Sequence, residues 1–172
     1  MYSFNNDYSE GAHPKILEAM MNCNLVQNGG YGLDTHCENA RRLIKEEIGR
    51  SDVDVHFITG GTQTNLITIA AALRPWQAVI ATDKGHINVH ETGAIEATGH
   101  KVLAMPSKDG KLTPADILKA LEAHTDEHMV QPKMVYISNS TEIGTQYSKA
   151  DLEALHHICR QKDLFLFLDG AR

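Results

Sequence analysis

The chain has 172 residues, of which 42% are hydrophobic and 22% charged, with five Pro and no low-complexity run; this composition excludes disordered and fibrous classes. Sixteen basic residues against 22 acidic ones give a formal net charge of -6 without a concentrated basic face, so no nucleic-acid partner is expected. Cys23, Cys37 and Cys159 make no disulfide framework, residues 1–7 carry neither a basic nor an apolar leader region, and no window is apolar enough to span a bilayer, so a cytoplasmic protein with no membrane partner is expected.

Taken in chain order, His13 to Asn22 places Ile16, Leu17, Met20 and Met21 on one helical face. A Gly-rich turn at 29–32 precedes a helix expected over Asp34 to Ile48, where Thr35 and Glu38 have capping-box spacing and Gly49 supplies a stop. The pattern then alternates. Strands are expected at Val53–Thr59, Ala78–Thr82, Lys101–Met105, Lys133–Ser138 and Leu164–Leu168. Between them come helices at Thr62–Leu73, Asn88–Thr98, from Pro114 through His124 with Thr113 as N-cap, and from Ser148 through Gln161. Five strands alternating with helices predict an α/β fold with a mostly parallel sheet, right-handed crossovers and helices on both faces.

In such sheets ligands bind at the carboxyl ends of the strands, and the unusual polar clusters of this chain follow strands. Gly60-Gly61-Thr62-Gln63-Thr64-Asn65 follows the first expected strand, Asp83-Lys84-Gly85-His86 the second, Ser138-Asn139-Ser140-Thr141-Glu142 the fourth and Asp169-Gly170-Ala171-Arg172 the fifth. Gly61 and Thr62 at a helix start suit a phosphate, because glycine admits close backbone approach and the helix N-terminus offers free N–H groups. The spacing lacks the signatures of nucleotide hydrolases and dinucleotide folds. Asp169 and Arg172 leave one strand end as a carboxylate and a planar bidentate donor, which suits a ligand bearing both a cationic nitrogen and a carboxylate. His86 and His90 have i, i+4 spacing, but no third ligand lies nearby in sequence, and no metal is assigned; a His-based metal hydrolase is the weakest of three readings. His56 reads as structural, and His156 and His157 as a helix surface pair.

These segments together resemble the N-terminal portion of the threonine aldolase and β-eliminating lyase family of pyridoxal-phosphate enzymes. The landmarks in order are Asn6-Asp7, Gly30-Tyr31-Gly32-Leu33-Asp34, Gly60 to Asn65, Gly85 to Ala94, and Leu168 to Arg172. The resemblance implies an aspartate-aminotransferase-like large domain (PLP fold type I), truncated after the fifth strand. Residues 1–50 would be an N-terminal segment with helices packing on the large domain, and 51–172 an incomplete PLP-binding domain. It further implies pyridoxal 5'-phosphate as cofactor, with Gly61 and Thr62 on the phosphate, His86 stacked on the ring and assisting proton transfer, and Asp169 paired with the pyridinium nitrogen. His86 and Asp169 would thus be catalytic. Arg172 would hold the carboxylate of a small amino-acid substrate, with Asn6 and Tyr31 also on the substrate side, in a homodimer or homotetramer.

Two departures accompany the likeness. Many threonine aldolases read Asn-Thr-His after the fourth strand, whereas this chain has Ser140-Thr141-Glu142, a carboxylate in place of a His near the substrate hydroxyl; the exchange favours β-elimination or a related reaction over retro-aldol cleavage. The family's Schiff-base Lys lies beyond the Asp-Gly-Ala-Arg motif, and none of the ten Lys here occupies that place. The chain is therefore expected to be part of a longer enzyme and inactive alone. The alternative is a noncatalytic binding or assembly subunit that needs a Lys-bearing partner chain.

Overall fold

The computed structural model describes Ser3 and residues 9–170, so Asn6 and Arg172 lie outside the described residues. The chain divides into two compact units, residues 1–57 and 58–172.

The first unit holds α1 (Pro14–Cys23) and α2 (Thr35–Glu47). The N-cap of α2 is Asp34 rather than Thr35: its carboxylate accepts from the Cys37 N–H at 2.9 Å, and an acceptor-only anion at the positive helix end outcompetes a hydroxyl one residue later. The hydrogen bond holds the Asp34 carboxyl below its usual range. Arg41 ties the irregular segments of this unit together, donating from Nη2 to the Gly32 carbonyl (2.6 Å) and from Nε to the Val55 carbonyl (3.2 Å). Gly32 has φ 73°, the left-handed region that favours glycine, and a Cβ there would also crowd Arg41 Nη2 at 3.0 Å. The apolar stripe of α1, Ile16, Leu17, Met20 and Met21, is exposed.

The second unit is a parallel α/β sheet. It contains α3 (Gly61–Ala72), β1 (Gln77–Thr82), α4 (His86–Val89), α5 (Ala94–Ala97), β2 (Val102–Met105), α6 (Pro114–Glu122), β3 (Gln131–Ser138), α7 (Lys149–Gln161) and β4 (Phe165–Asp169). The strand order is β2-β1-β3-β4, with every pairing parallel. β1 is central and almost wholly buried, as its near-continuous apolar run Ala78-Val79-Ile80-Ala81 requires. Strand alternation sends Ala78, Ile80, Val135 and Ile137 to one face, where they meet Leu112, Ile117, Leu155 and Ile158 of α6, α7 and the segment before α6. Val79, Ala81, Met134 and Tyr136 point to the other face, against Ile69 of α3, Ile87 of α4 and Ile95 of α5. Helices thus cover both faces, as the alternating pattern predicts.

Two expectations change. Residues 53–59 form no strand, and the described sheet has four strands rather than five. Alternation of Val53, Val55 and Phe57 selects a face, but a strand exists only where its N–H and C=O groups are paired, and none of the three ladders includes this segment. The single helix expected over 88–98 is instead α4 and α5. Thr92 (φ 54°) and Gly93 (φ 75°) take the left-handed region, and the turn they make carries Glu91 into the interior.

The caps after β2 and β3 are as read. Thr113 with Asp116, and Ser148 with Asp151, each form a complete capping box. Ser148→Ala is expected to cost about 1 kcal/mol in urea unfolding, because the Asp151 N–H loses its acceptor while the rest of α7 is unchanged. A change below 0.3 kcal/mol, on the order of the few tenths seen for a neutral cap exchange, contradicts this.

Candidate active site

The carboxyl rim of the sheet gathers side chains that are far apart in sequence. β3 and β4 are in register with Ser138 opposite Asp169 and Tyr136 opposite Phe167, and alternation therefore puts Tyr136, Ser138 and Asp169 on one face. Tyr136 packs edge-on against the Phe167 ring, with centroids 5.4 Å apart. Its hydroxyl donates to Asp169 Oδ2 at 2.7 Å. Burial, and then the bond to Asp169, push the Tyr136 phenol well above its ordinary pKa, so it stays a protonated donor throughout the physiological range.

Asn65, in the second turn of α3, reaches the same carboxylate from the other side, its Nδ2 3.4 Å from Asp169 Oδ2. Both donors converge on Oδ2, and among the described residues no donor is recorded on Oδ1. The same Asn65 amide nitrogen donates to Glu91 Oε1 at 2.9 Å. Glu91 Oε1 in turn lies 2.7 Å from Nδ1 of His86. His86, Glu91, Asn65, Asp169 and Tyr136 thus form one continuous hydrogen-bonded chain across the rim. Exposure falls sharply at its first link: the His86 side chain is 37% exposed, whereas that of Glu91 is 0% exposed.

Around this chain the loops are tied down. Asp83 Oδ1 accepts from the Ser107 N–H, Lys84 Nζ donates to the Ser107 carbonyl, and Asn88 Nδ2 donates to the Asp83 carbonyl at 2.9 Å. These bonds fix the segment that delivers His86. The Pro106-Ser107-Lys108 segment, which reads as a plain turn, is thereby the anchor of the neighbouring loop. Thr141 is buried, its Oγ1 2.7 Å from that of Thr145, while Glu142 is exposed.

The N-terminus of α3 has no side-chain cap, and its first helical bond runs from the Thr64 N–H to the Gly60 carbonyl, leaving the N–H groups of Gly61, Thr62 and Gln63 without intrahelical partners. Cβ atoms built at Gly60 and Gly61 would have nothing within 4 Å, so the approach is open. An uncapped helix end therefore stands one turn from Asn65 and the strand-end carboxylate.

Of the residues singled out in the sequence, Gly61, Thr62, His86 and Asp169 all fall on this rim. Tyr31 belongs to the first unit, where it is fully exposed at φ 61° before α2; Asn6 and Arg172 lie outside the described residues. His86 and His90 have ring centroids 5.6 Å apart, and among the described residues no group of three metal-ligating side chains occurs. No helix among the described residues is long and apolar enough to cross a membrane. Sequence reading missed Tyr136, Asn65 and Glu91 as members of the site. The available signal was a Tyr in a strand two residues before a polar strand end, and a Glu one residue before a turn that must leave the helix.

An open parallel sheet with an uncapped helix start and an oriented carboxylate at its carboxyl rim defines an α/β protein of the kind whose ligands bind at that rim. Within that class the chain belongs to the β-eliminating lyase family, which matches residues 6–172. The threonine aldolase of Leishmania major is 62% identical with a TM-score of 0.96, covering 100% of this chain and 50% of that one. The low-specificity L-threonine aldolase of Pseudomonas aeruginosa is 32% identical over 98% of this chain and 49% of its own length. A pyridoxal-phosphate-bound C-S lyase of Staphylococcus hominis, 14% identical with a TM-score of 0.59 over 90% of this chain and 41% of that one, shares the fold. The chain spans about half the length of the relatives it matches.

Proposed function

We propose that this chain is the N-terminal part of a pyridoxal-5'-phosphate-dependent lyase that cleaves the Cα–Cβ bond of a small β-hydroxy amino acid of the threonine type. The observation that carries the reading is the Asp169 carboxylate, oriented through Oδ2 by Tyr136 and Asn65 at the carboxyl end of β4, beside the open start of α3. The likeness to threonine aldolases supports the reaction class.

The residues present fit such a cofactor. Gly60 and Gly61 leave room for a phosphate, the N–H groups of Gly61 and Thr62 donate to it, and Asp169 supplies an acceptor for a protonated ring nitrogen. When bound, the cofactor supplies an electron sink for the carbanion left when a Cα bond breaks. His86 would face the ring and hold or move a proton there. As the family resemblance implies, Arg172 would pair with the substrate carboxylate, and Asn6 and Tyr31 are further substrate-side candidates. Residues 51–172 form the incomplete cofactor-binding domain, and the working protein is a cytoplasmic homodimer or homotetramer. The Schiff-base Lys that the resemblance implies is not among the ten Lys of these 172 residues, which by themselves are expected to show no turnover.

The test is to isolate the protein from its own cells, weigh it intact, and assay it with pyridoxal phosphate. Glycine and acetaldehyde released from threonine support the reading; a protein that binds the cofactor and yields only pyruvate and ammonia from serine overturns the aldolase assignment. That second result would agree with Glu142 standing where many relatives carry His. For the 172-residue chain, borohydride reduction in the presence of cofactor is expected to leave no labelled Lys. A stoichiometric adduct at one Lys, together with turnover, would sink the inactivity claim. Activity that appears only on mixing with a separate Lys-bearing chain identifies the assembly-subunit alternative.

A further inference from the structure

We propose that Glu91 is a positioning residue: its buried carboxylate, held by Asn65, fixes His86 as the Nδ1–H tautomer, so that Nε2 is the ring nitrogen presented to the ligand. The inference rests on the reading of this rim as the cofactor site, and it assigns the orientation of His86 within that site.

Three observations combine. The Glu91 side chain is 0% exposed, and Oε1 receives two partners, Asn65 Nδ2 at 2.9 Å and His86 Nδ1 at 2.7 Å. An ionised carboxylate only accepts, and the Asn65 amide nitrogen only donates, so the remaining partner of Oε1 must also donate; Nδ1 of His86 therefore carries the proton. With Nδ1 committed, the tautomer of a neutral ring is set, and Nε2 is left as an acceptor, or as a donor when the ring is charged.

The position of Glu91 is itself imposed. α4 stops at its C-cap His90, and Thr92 and Gly93, both at positive φ, turn the chain before α5, so that Glu91 lies buried between the two helices instead of continuing one helical face. Asn65 then joins this carboxylate to Asp169 through the two hydrogens of one Nδ2, which places the groups proposed to meet the ring face and the ring nitrogen on a shared support. Among the described residues Glu91 Oε2 has no hydrogen-bond partner, so Oε1 carries the directional bonding of the side chain. Burying an acidic group with one oxygen bare is costly, and retaining it here is accounted for by the orientation it gives His86.

The test uses the ligand-free protein with ¹⁵N-labelled histidine, observed by long-range ¹H–¹⁵N correlation at alkaline pH, where a neutral ring carries one N–H. The wild-type His86 ring is expected to show a protonated Nδ1 and a bare Nε2. In Glu91→Gln the side-chain carbonyl takes over the acceptor role and the same pattern is expected. In Glu91→Leu the Nδ1 acceptor is gone and the ring is expected to shift to the Nε2–H form preferred by imidazole in water. A wild-type ring already in the Nε2–H form overturns the proposal without any variant, as does an unchanged Nδ1–H pattern in a folded Glu91→Leu protein. Because no cofactor is present, failure here leaves the cofactor reading standing. Conversely, failure to bind pyridoxal phosphate in a separate titration removes that reading without touching the tautomer.

Discussion

Asp169→Asn should lower the turnover of the complete, cofactor-loaded enzyme by about 10²–10³-fold, the scale expected when a preorganised electrostatic partner of a developing charge is removed. The exchange is isosteric, and the side-chain carbonyl of Asn can still accept from the Tyr136 hydroxyl, so the rim keeps its shape. What disappears is the negative charge opposite a protonated ring nitrogen. Without it the nitrogen gives up its proton more readily, and the ring withdraws electrons less strongly from the breaking bond. Steady-state kinetics together with the near-ultraviolet spectrum of the bound cofactor check this. A loss under threefold in a protein that still binds the cofactor contradicts the assigned role of Asp169.

The largest stability effect is expected at Ile80. This residue is 0% exposed, lies at the middle of the central strand β1, and belongs to the cluster that includes Ile117, Val135 and Leu155. Its surroundings come from two neighbouring strands and two helices, so little of the gap left by truncation can close. Ile80→Ala is expected to destabilise the protein by about 2–5 kcal/mol, against about 0.5–1.5 kcal/mol for Ile80→Val. Urea unfolding of both variants supplies the comparison. Equal and small effects would mean that the helices on this face relax inward to fill the space.

How far the sequence carries can be judged from particular elements. The helices α6 and α7 were legible because their caps are local: Thr113 and Ser148 bond to backbone three residues away, and nothing distant is needed to place them. His86 and Asp169 were legible because a parallel sheet has one carboxyl rim, and residues that follow strands must collect on it, whereas Gly61 and Thr62 follow a segment that forms no strand and come near the rim through α3, whose Asn65 bonds to Asp169. Residues 53–59 misled because alternation reports only which side chains share a face. Pairing is a property of a neighbouring strand, and it leaves no mark on the segment itself.

By itself the sequence determined the alternating α/β pattern, the capped helices, the glycines at the start of α3 and the strand-end carboxylate, all of which follow from residue chemistry within a few positions along the chain. Tertiary structure alone decided that Tyr136 and Asn65 orient Asp169, and that Glu91 lies buried against His86. The reason is physical: Asn65 and Asp169 are 104 residues apart, and their hydrogen bond depends on the distance between a helix and a strand, which the packing of α3 on the sheet sets and no local pattern encodes.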